Sequence, residues 1–546
     1  MNWNLYLMYG GNKNQWTILK HNGPLFPLPY EPHKVPIIVN NNKIILPELA
    51  EEYATMFAKY IDTDYFTNKT FLKNFWSEFK KVLPKDLNIN KLEDIDFLPI
   101  KNYLLLLKEK KNELTKSQKE INKKIQDEYE EPYKYCIIDG VQQHVGNYKI
   151  EPPGIFLGRG NHPKSGLIKK RIFPEDVTIN ISKDIPIPKP NLSNHNWGNV
   201  VNDQNVIWLA TWKDEITNKN KYIFTSFDSF FKSKSDENKF ELARKLKKKI
   251  NKIREDYTTQ LSDTNDKNKQ LATALYFIDN LALRVGGHKD TKEAADTVGI
   301  TSLRVEHITL LEDNNIKLDF LGKDSIRYCK KIKVDDKVYI NLTNFITNKN
   351  KKDDLFDLIN ANMINEYLNN FMNDLTAKVW RTYNASYLFQ KELDKIKEEH
   401  IKNIDPNEKI NYLIAIFHQA NASVAILCNH QKNVNYSADN TINKINDTIK
   451  NFKNKKKILK NKPNNNSKDL TNKIKNIDTK IKLLKLKKET KQKMKNVSLE
   501  TSKDNYIDPR IIFAFSKKFN ISPDIFFKKK IKRFEWAANV DKDFKF

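Results

Sequence analysis

The spacing of apolar residues changes several times along this 546-residue chain, and each change marks an element. Residues 23–32 hold Pro24, Pro27, Pro29 and Pro32, so this stretch is extended or turning, because proline blocks helix. In residues 47–58, Leu49, Ala50, Tyr53, Ala54, Phe57 and Ala58 recur three and four apart, which predicts an amphipathic helix. Residues 100–130 are long, polar and helical in composition. Ile150 to Trp212 reads as short β-like runs, such as Val206 to Ala210, broken by Gly, Pro and Asn. From about 230 to 432 helical spacing dominates. It is interrupted by a strand-like pair at Ile316 to Phe320 and Val338 to Ile340.

Residues 433–500 form a different unit. Ile442, Ile445, Ile449 and Phe452 make one narrow helical stripe. Leu470, Ile474, Ile477, Ile481 and Leu484 make a second, after a break at Pro463 to Asn466. Two antiparallel helices would bury the stripes against each other; a disordered basic linker is the alternative. Residues 501–546 regain aromatics, as a small packed unit would.

Charge sharpens this picture. The formal net charge is +27, and residues 433–500 hold 19 Lys, no Arg and six acids, about half of the excess. Such a chain suits a polyanion, nucleic acid first, because neutralising phosphates releases counterions. Heavy use of Lys and Asn is also what an AT-rich genome produces. No stretch reaches the roughly 18 apolar residues needed to span a bilayer, so a membrane surface ranks well behind DNA. The N-terminal apolar run is too short for a signal peptide. Cys136, Cys329 and Cys428 are scattered without a CxxC, which points to neither disulfides nor zinc and suits a reducing compartment.

Candidate chemistry begins with absences. There is no Walker-type loop and no H-E-x-x-H. The D-x-D matches at Asp94 to Asp96 and Asp541 to Asp543 are too short to imply a metal site. Five longer strings are far more specific: Leu281 to Gly286 (LALRVG), Phe320 to Tyr328 (FLGKDSIRY), Leu375 to Ser386 (LTAKVWRTYNAS), Cys428 to Gln431 (CNHQ) and Asn505 to Arg510 (NYIDPR). With Glu151 to Pro163 (EPPGIFLGRGNHP) upstream, they closely resemble, in order and separation, the motifs of eukaryotic topoisomerase IB, from about residue 10 to the end.

The resemblance implies a multidomain α+β protein, a bilobed DNA clamp. Residues 1–9 would be a short extension and 10–229 a mixed α/β cap lobe, with 28–114 inserted in it. Residues 230–432 would be a mainly helical catalytic lobe of the tyrosine recombinase type, 433–500 a basic coiled-coil linker and 501–546 a small helical C-terminal domain. It implies Tyr506 as nucleophile on a DNA phosphodiester, Arg284, Arg381 and His430 as stabilisers of the transition state, and Lys323 as general acid. Tyrosine suits the task because the phosphotyrosine formed is still a diester, so the step reverses without ATP. Arginine suits the extra negative charge of a phosphorane through its planar fork and permanent charge. No side chain stands out as base for Tyr506.

By the same resemblance, Arg159, Asn161, His162, Lys164, Lys169, Lys378, Asp324 and Asn505 touch DNA, and Arg159, Asp324 and Asn505 line the pocket of camptothecin-type inhibitors. No cofactor or metal is implied. Double-stranded DNA is the partner, no membrane is involved, the protein is a monomer, and the nucleus is the expected compartment, with a reduced organelle genome or a viral setting as the alternatives.

Each residue has a plainer reading. Tyr506 could be a half-buried packing residue, His430 a capping or core histidine, and Lys323 a hairpin-turn lysine. Lys378 and Arg381, three apart, could be a surface pair. Arg284, in an apolar run read as helical, would be costly to bury without an anion. The chain departs from the family at Leu157, which replaces a phosphate-binding arginine, at Gly287 and His288, and at Lys432. Two other functions remain: a tyrosine recombinase, although Lys378-x-x-Arg381 stands where recombinases have His-x-x-Arg, and a non-catalytic DNA-binding homologue.

Overall fold

The computed structural model describes residues 15–87, 89–396, 401, 404, 406–431, 437–461 and 468–546. The extension at residues 1–9, the break at Pro463 to Asn466 and the departure at Lys432 lie outside them. The chain is a mixed α/β protein that divides into two compact units, Met1–Ser233 with Lys289–Asp296, and Lys234–His288 with Thr297–Phe546.

The first unit has two cores. One gathers around helices α1 (Glu48–Ala58), α2 (Lys69–Val82) and α3 (Leu98–Glu113), and around the sheet of β2 (Ile37–Val39), β3 (Asn42–Ile44) and β4 (Ile95–Asp96). On α2, Phe71, Phe75 and Phe79 fall four apart, so one face is all phenylalanine, and all three are fully buried. Phe57 of α1 stacks on Phe75 with centroids 4.3 Å apart. Each such ring contributes roughly 1.5–3 kcal/mol of burial. The polar stretch 100–130 is two helices, because Thr115 opens α4 (Lys116–Glu130) with a capping box to Gln118.

The second core lies behind β9 (Val177–Asn180), β10 (Asn199–Val201), β11 (Trp208–Asp214) and β12 (Lys219–Phe224), in the order β10-β9-β11-β12. The β-like run at Val206 to Ala210 thus enters a strand only at Trp208. Two further strand groups complete the unit: β1 (Leu19–His21) with β5 (Tyr135–Ile138) and β6 (Val141–His144), and β7 (Gly154–Ile155) with β8 (Ile168–Lys169).

The second unit is mainly helical. Helix α5 (Phe230–Gln260) leads into it and buries Phe240, Leu246, Ile250 and Ile253. There follow α6 (Asp266–Leu281), α7 (Asp336–Ile346), α8 (Ala361–Phe371), α9 (Ala377–Asp394), α10 (Pro406–Leu427), α11 (Ser437–Lys460), α12 (Lys468–Met494), α13 (Leu499–Asn505) and α14 (Pro509–Phe519). One antiparallel sheet interrupts them: β13 (Ile308–Leu311), β14 (Asn315–Leu321) and β15 (Arg327–Lys333).

Three sequence-based expectations are corrected here. β14 pairs with Ile308–Leu311 on one side and Arg327–Lys333 on the other, and Val338 to Ile340 lies inside α7. The Asp335 carboxylate accepts from the Lys337 amide to start that helix, whose buried Val338, Asn341, Leu342 and Phe345 keep helical spacing. Second, Arg284 is not helical: α6 ends at Leu281 on left-handed Ala282, φ 50°. Third, one segment does reach the apolarity of a bilayer span, Glu408–Leu427, with mean hydropathy 1.3. It is the bulk of α10, which packs against α9, α12 and α13 and buries Leu413, Phe417 and Val424.

Helices α11 and α12 pack along each other through Ile449, Ile477 and Ile481, flanked by Ile445, Phe452, Leu459 and Leu484. Asp439 pairs with Lys495 at 2.8 Å and Lys456 with Asp478, so the two helices run antiparallel.

Candidate active site

Four of the motif strings converge in the second unit, and the local backbone explains how. Past Ala282 the chain continues without helix or strand. The Arg284 carbonyl accepts from the Ile300 amide at 2.9 Å, and the Val285 carbonyl from Thr301 at 2.8 Å. Gly286, φ 79°, crosses Gly299 so closely that a Cβ would lie 2.5 Å from the Gly299 Cα. One residue back, the Val298 amide donates to the Leu321 carbonyl at the end of β14. The segment carrying Arg284 is thereby tied to the strand that leads into Lys323. Lys323 itself opens the turn between β14 and β15, with Asp324 left-handed at φ 66° and the Gly322 amide closing on the Ile326 carbonyl at 2.8 Å. Lys323 and Asp324 are exposed.

Arg381 rides on α9 and is buried, only 5% exposed, whereas Lys378 one turn earlier is exposed. Its guanidinium donates to the Ala282 carbonyl and, at 2.5 Å, to the Cys428 carbonyl. Its Nε has no acceptor among the described residues. His430 follows left-handed Asn429, just past α10, and Tyr506 follows α13 directly.

These side chains meet around one hydroxyl. Arg284 Nη1 donates to the Tyr506 hydroxyl at 3.3 Å. The Arg381 Cζ sits 5.1 Å from the Tyr506 ring centroid, and the His430 ring 5.3 Å from it. Arg381 Nη2 faces His430 Nε2 at 3.4 Å. Among the described residues, neither guanidinium has a carboxylate within ion-pair distance. A buried cation without a counter-ion costs several kcal/mol, so this pocket is built for an anion.

The electrostatics agree. Burial raises the Tyr506 phenol, but Arg381 and Arg284 outweigh it and hold the group below its ordinary value of 10. Burial, reinforced by Arg381, Arg284 and Lys323, pulls His430 down to about 3, so the ring is neutral at pH 7. Lys323 thus reaches the site through its charge.

Several supporting residues escape a reading of motifs alone. Asp279, buried on α6, accepts from Arg254 through both oxygens at 2.7 and 2.8 Å, from the Tyr257 hydroxyl at 2.8 Å and from the Trp380 indole at 3.0 Å. It joins α5, α6 and α9 just behind Arg284 and Arg381. Ser386, at the end of one motif, donates to the Tyr506 carbonyl and accepts from the Asp508 amide, both at 3.0 Å. Ser502 touches His430. None of these has a signal in sequence beyond adjacency to a motif, because their partners lie far along the chain.

Other candidates stand elsewhere. Asn505 is exposed, its side-chain amide on the Thr501 carbonyl. In the first unit, Arg159 and Asn161 are exposed, and His162 packs on Phe156 at 4.9 Å. Lys164 donates to the Ile216 carbonyl at 2.6 Å and pairs with Glu293, and Lys169 pairs with Glu151 at 2.5 Å. Leu157 packs against the first core. His288 lies 3.7 Å from Asp354. No group of three His, Cys, Asp or Glu suited to a metal occurs among the described residues.

Fold and site together define a class: a multidomain α/β protein in which a buried tyrosine, its acidity raised by two arginines, sits in a cationic pocket. Residues 14–225 match the eukaryotic DNA topoisomerase I DNA binding fragment, 228–463 its catalytic core, and 478–546 the C-terminal topoisomerase domain. The chain is 41% identical over 547 residues to DNA topoisomerase 1 of Caenorhabditis elegans, covering 96% of this chain and 67% of that protein. It is 38% identical over 558 residues to DNA topoisomerase 1 of Homo sapiens, covering 97% and 72%. Against DNA topoisomerase 1 beta of Arabidopsis thaliana it is 39% identical over 558 residues, covering 98% and 60%. It spans 60% of the length of both plant relatives. This chain belongs to the eukaryotic DNA topoisomerase I family.

Proposed function

We propose that the chain is a type IB DNA topoisomerase, relaxing positive and negative supercoils without ATP or metal. The observation that carries this reading is the contact of Arg284 with the Tyr506 hydroxyl, beside a buried Arg381 that has no carboxylate partner among the described residues. The Tyr506 oxygen attacks the phosphorus and its proton passes to water. The P–O5′ bond breaks as Lys323 protonates the 5′ oxygen, leaving a 3′-phosphotyrosine. Arg284, Arg381 and His430 donate to the non-bridging oxygens, where charge grows most. One diester replaces another, so the reversal reseals the strand after it has turned.

On the same reading residues 10–229, with 28–114 inserted, form a cap that closes with the catalytic lobe 230–432 as a bilobed clamp. The helical pair within 433–500 is a coiled-coil linker whose lysines brush the turning duplex, and 501–546 carries the tyrosine. Arg159, Asn161, His162, Lys164, Lys169, Lys378, Asp324 and Asn505 contact DNA, mostly at phosphates. Camptothecin-type inhibitors lodge by Arg159, Asp324 and Asn505. The protein works as a monomer in a nucleus, with no membrane partner.

The test is relaxation of both supercoil signs in EDTA without ATP. The expected result is full relaxation by the chain and none by Tyr506→Phe. Undiminished activity of Tyr506→Phe, or a covalent adduct on another side chain or on a DNA 5′ end, overturns the reading.

A further inference from the structure

The His430 imidazole is held on both edges. Its Nδ1 lies 2.7 Å from the hydroxyl of Ser502, which is fully buried, and its Nε2 faces Arg381. Ser502 stands one helical turn before Tyr506, and its carbonyl accepts from the amides of Tyr506 and Ile507 at 2.9 and 3.1 Å. The Ser498 amide in turn donates to the His430 carbonyl at 2.7 Å. One short helix therefore carries the hydroxyl that meets the imidazole, and the phenol follows at its C-terminal end.

A guanidinium only donates. The nitrogen facing it accepts, so in this arrangement the ring proton belongs on Nδ1 and points to Ser502 Oγ. A phosphate oxygen only accepts, so His430 can bind one through Nε2 only when the proton is there. Nδ1 must then accept a hydrogen bond. A carbonyl or carboxylate opposite Nδ1 could not donate one; a hydroxyl can, by turning about its C–O bond, because it offers one donor and two acceptor sites.

We propose that Ser502 is a positioning residue whose hydroxyl reverses its hydrogen bond, allowing His430 to change tautomer as a phosphate enters. One proton leaves Nδ1 to solvent and one reaches Nε2 from solvent, so the ring stays neutral. This deepens the nucleophile reading given above and rests on it. The low basicity of the ring agrees, since it leaves tautomerism as the proton change open to His430 near neutral pH.

The test uses the full chain labelled with 15N-histidine, with His430 signals assigned by their loss in His430→Gln. Ring-nitrogen shifts are expected to report Nδ1–H in the free protein and Nε2–H after reaction with a suicide duplex that traps the covalent complex. Ser502→Ala is expected to slow single-turnover cleavage about tenfold, and Ser502→Thr, which keeps the hydroxyl, to stay within about threefold of the parent. In a His430→Ala background, Ser502→Ala should add no further loss. An unchanged tautomer, wild-type cleavage by Ser502→Ala, or additive losses in the double variant overturn the proposal. If Tyr506→Phe relaxes DNA, the nucleophile reading itself has failed; if it is inactive while any of those three results holds, only the role of Ser502 has.

Discussion

Tyr506 is a phenol whose neighbours decide its acidity. Burial opposes ionisation, and the guanidiniums of Arg381 and Arg284 reverse that preference. The sign of the pH dependence follows. Cleavage by the phenolate rises with pH and levels off at a pH below 10, and Arg284→Ala moves the plateau upward because one favourable charge is gone. The same substitution lowers the plateau rate by about 10²–10³-fold, if a guanidinium here behaves as a transition-state donor. Single-turnover cleavage of a short duplex between pH 6 and 10 reads both, and an unmoved plateau would exclude Arg284 from the ionisation. At this scale the residue types were legible in the motifs, but not their state. That Arg381 is buried against two carbonyls, a phenol ring and an imidazole depends on groups from residues 282, 428, 430 and 506.

At the scale of elements, placement rests on Asp279. Its carboxylate gathers donors from α5 and α9, and the carbonyl of the same residue accepts from Asn384 at 2.7 Å. Asp279→Ala leaves the Arg254 guanidinium, the Tyr257 hydroxyl and the Trp380 indole without their acceptor. Since Arg254 is partly solvated, the expected cost is about 3 kcal/mol, toward the low end for a broken buried pair. Urea unfolding measures that cost, and cleavage should fall with it because α9, which carries Arg381, loses a tie to α5 and α6. A variant of parental stability would show that the helices are held by other contacts. Helix 48–58 was readable from spacing because its apolar residues recur three and four apart, although the structure buries the whole of its C-terminal half, from Tyr53 to Ala58. The strand at Arg327–Lys333 was not, because the half-buried inward position 330 is a lysine and the exposed position 329 a cysteine, which breaks the apolar–polar alternation. Val338 to Ile340 looks β-like by residue type, and the cap at Asp335 decides for helix.

For the whole molecule, charge is the dominant variable. Lys475, Lys482 and Lys485 are exposed on α12. On the proposed reading they face phosphates, and replacing all three with Gln reduces the slope of log binding constant against log salt by up to about 2.7, or 0.9 per contact. Fluorescence anisotropy with two unrelated duplexes should show the same loss for both, and an unchanged slope would place these lysines away from DNA. The excess of lysine, the two apolar stripes of 433–500 and the five motifs are local properties of the chain, set by residue type and period, so the sequence alone determined the family, the preference for a polyanion and most of the helices. Which nitrogen of His430 faces Arg381, what Asp279 gathers and in which direction the acidity of Tyr506 moves depend on groups from distant parts of the chain meeting at about 3 Å in buried surroundings. Only the tertiary structure decides such distances, because the energy of a charge or a hydrogen bond is set by what surrounds it and not by its neighbours in sequence.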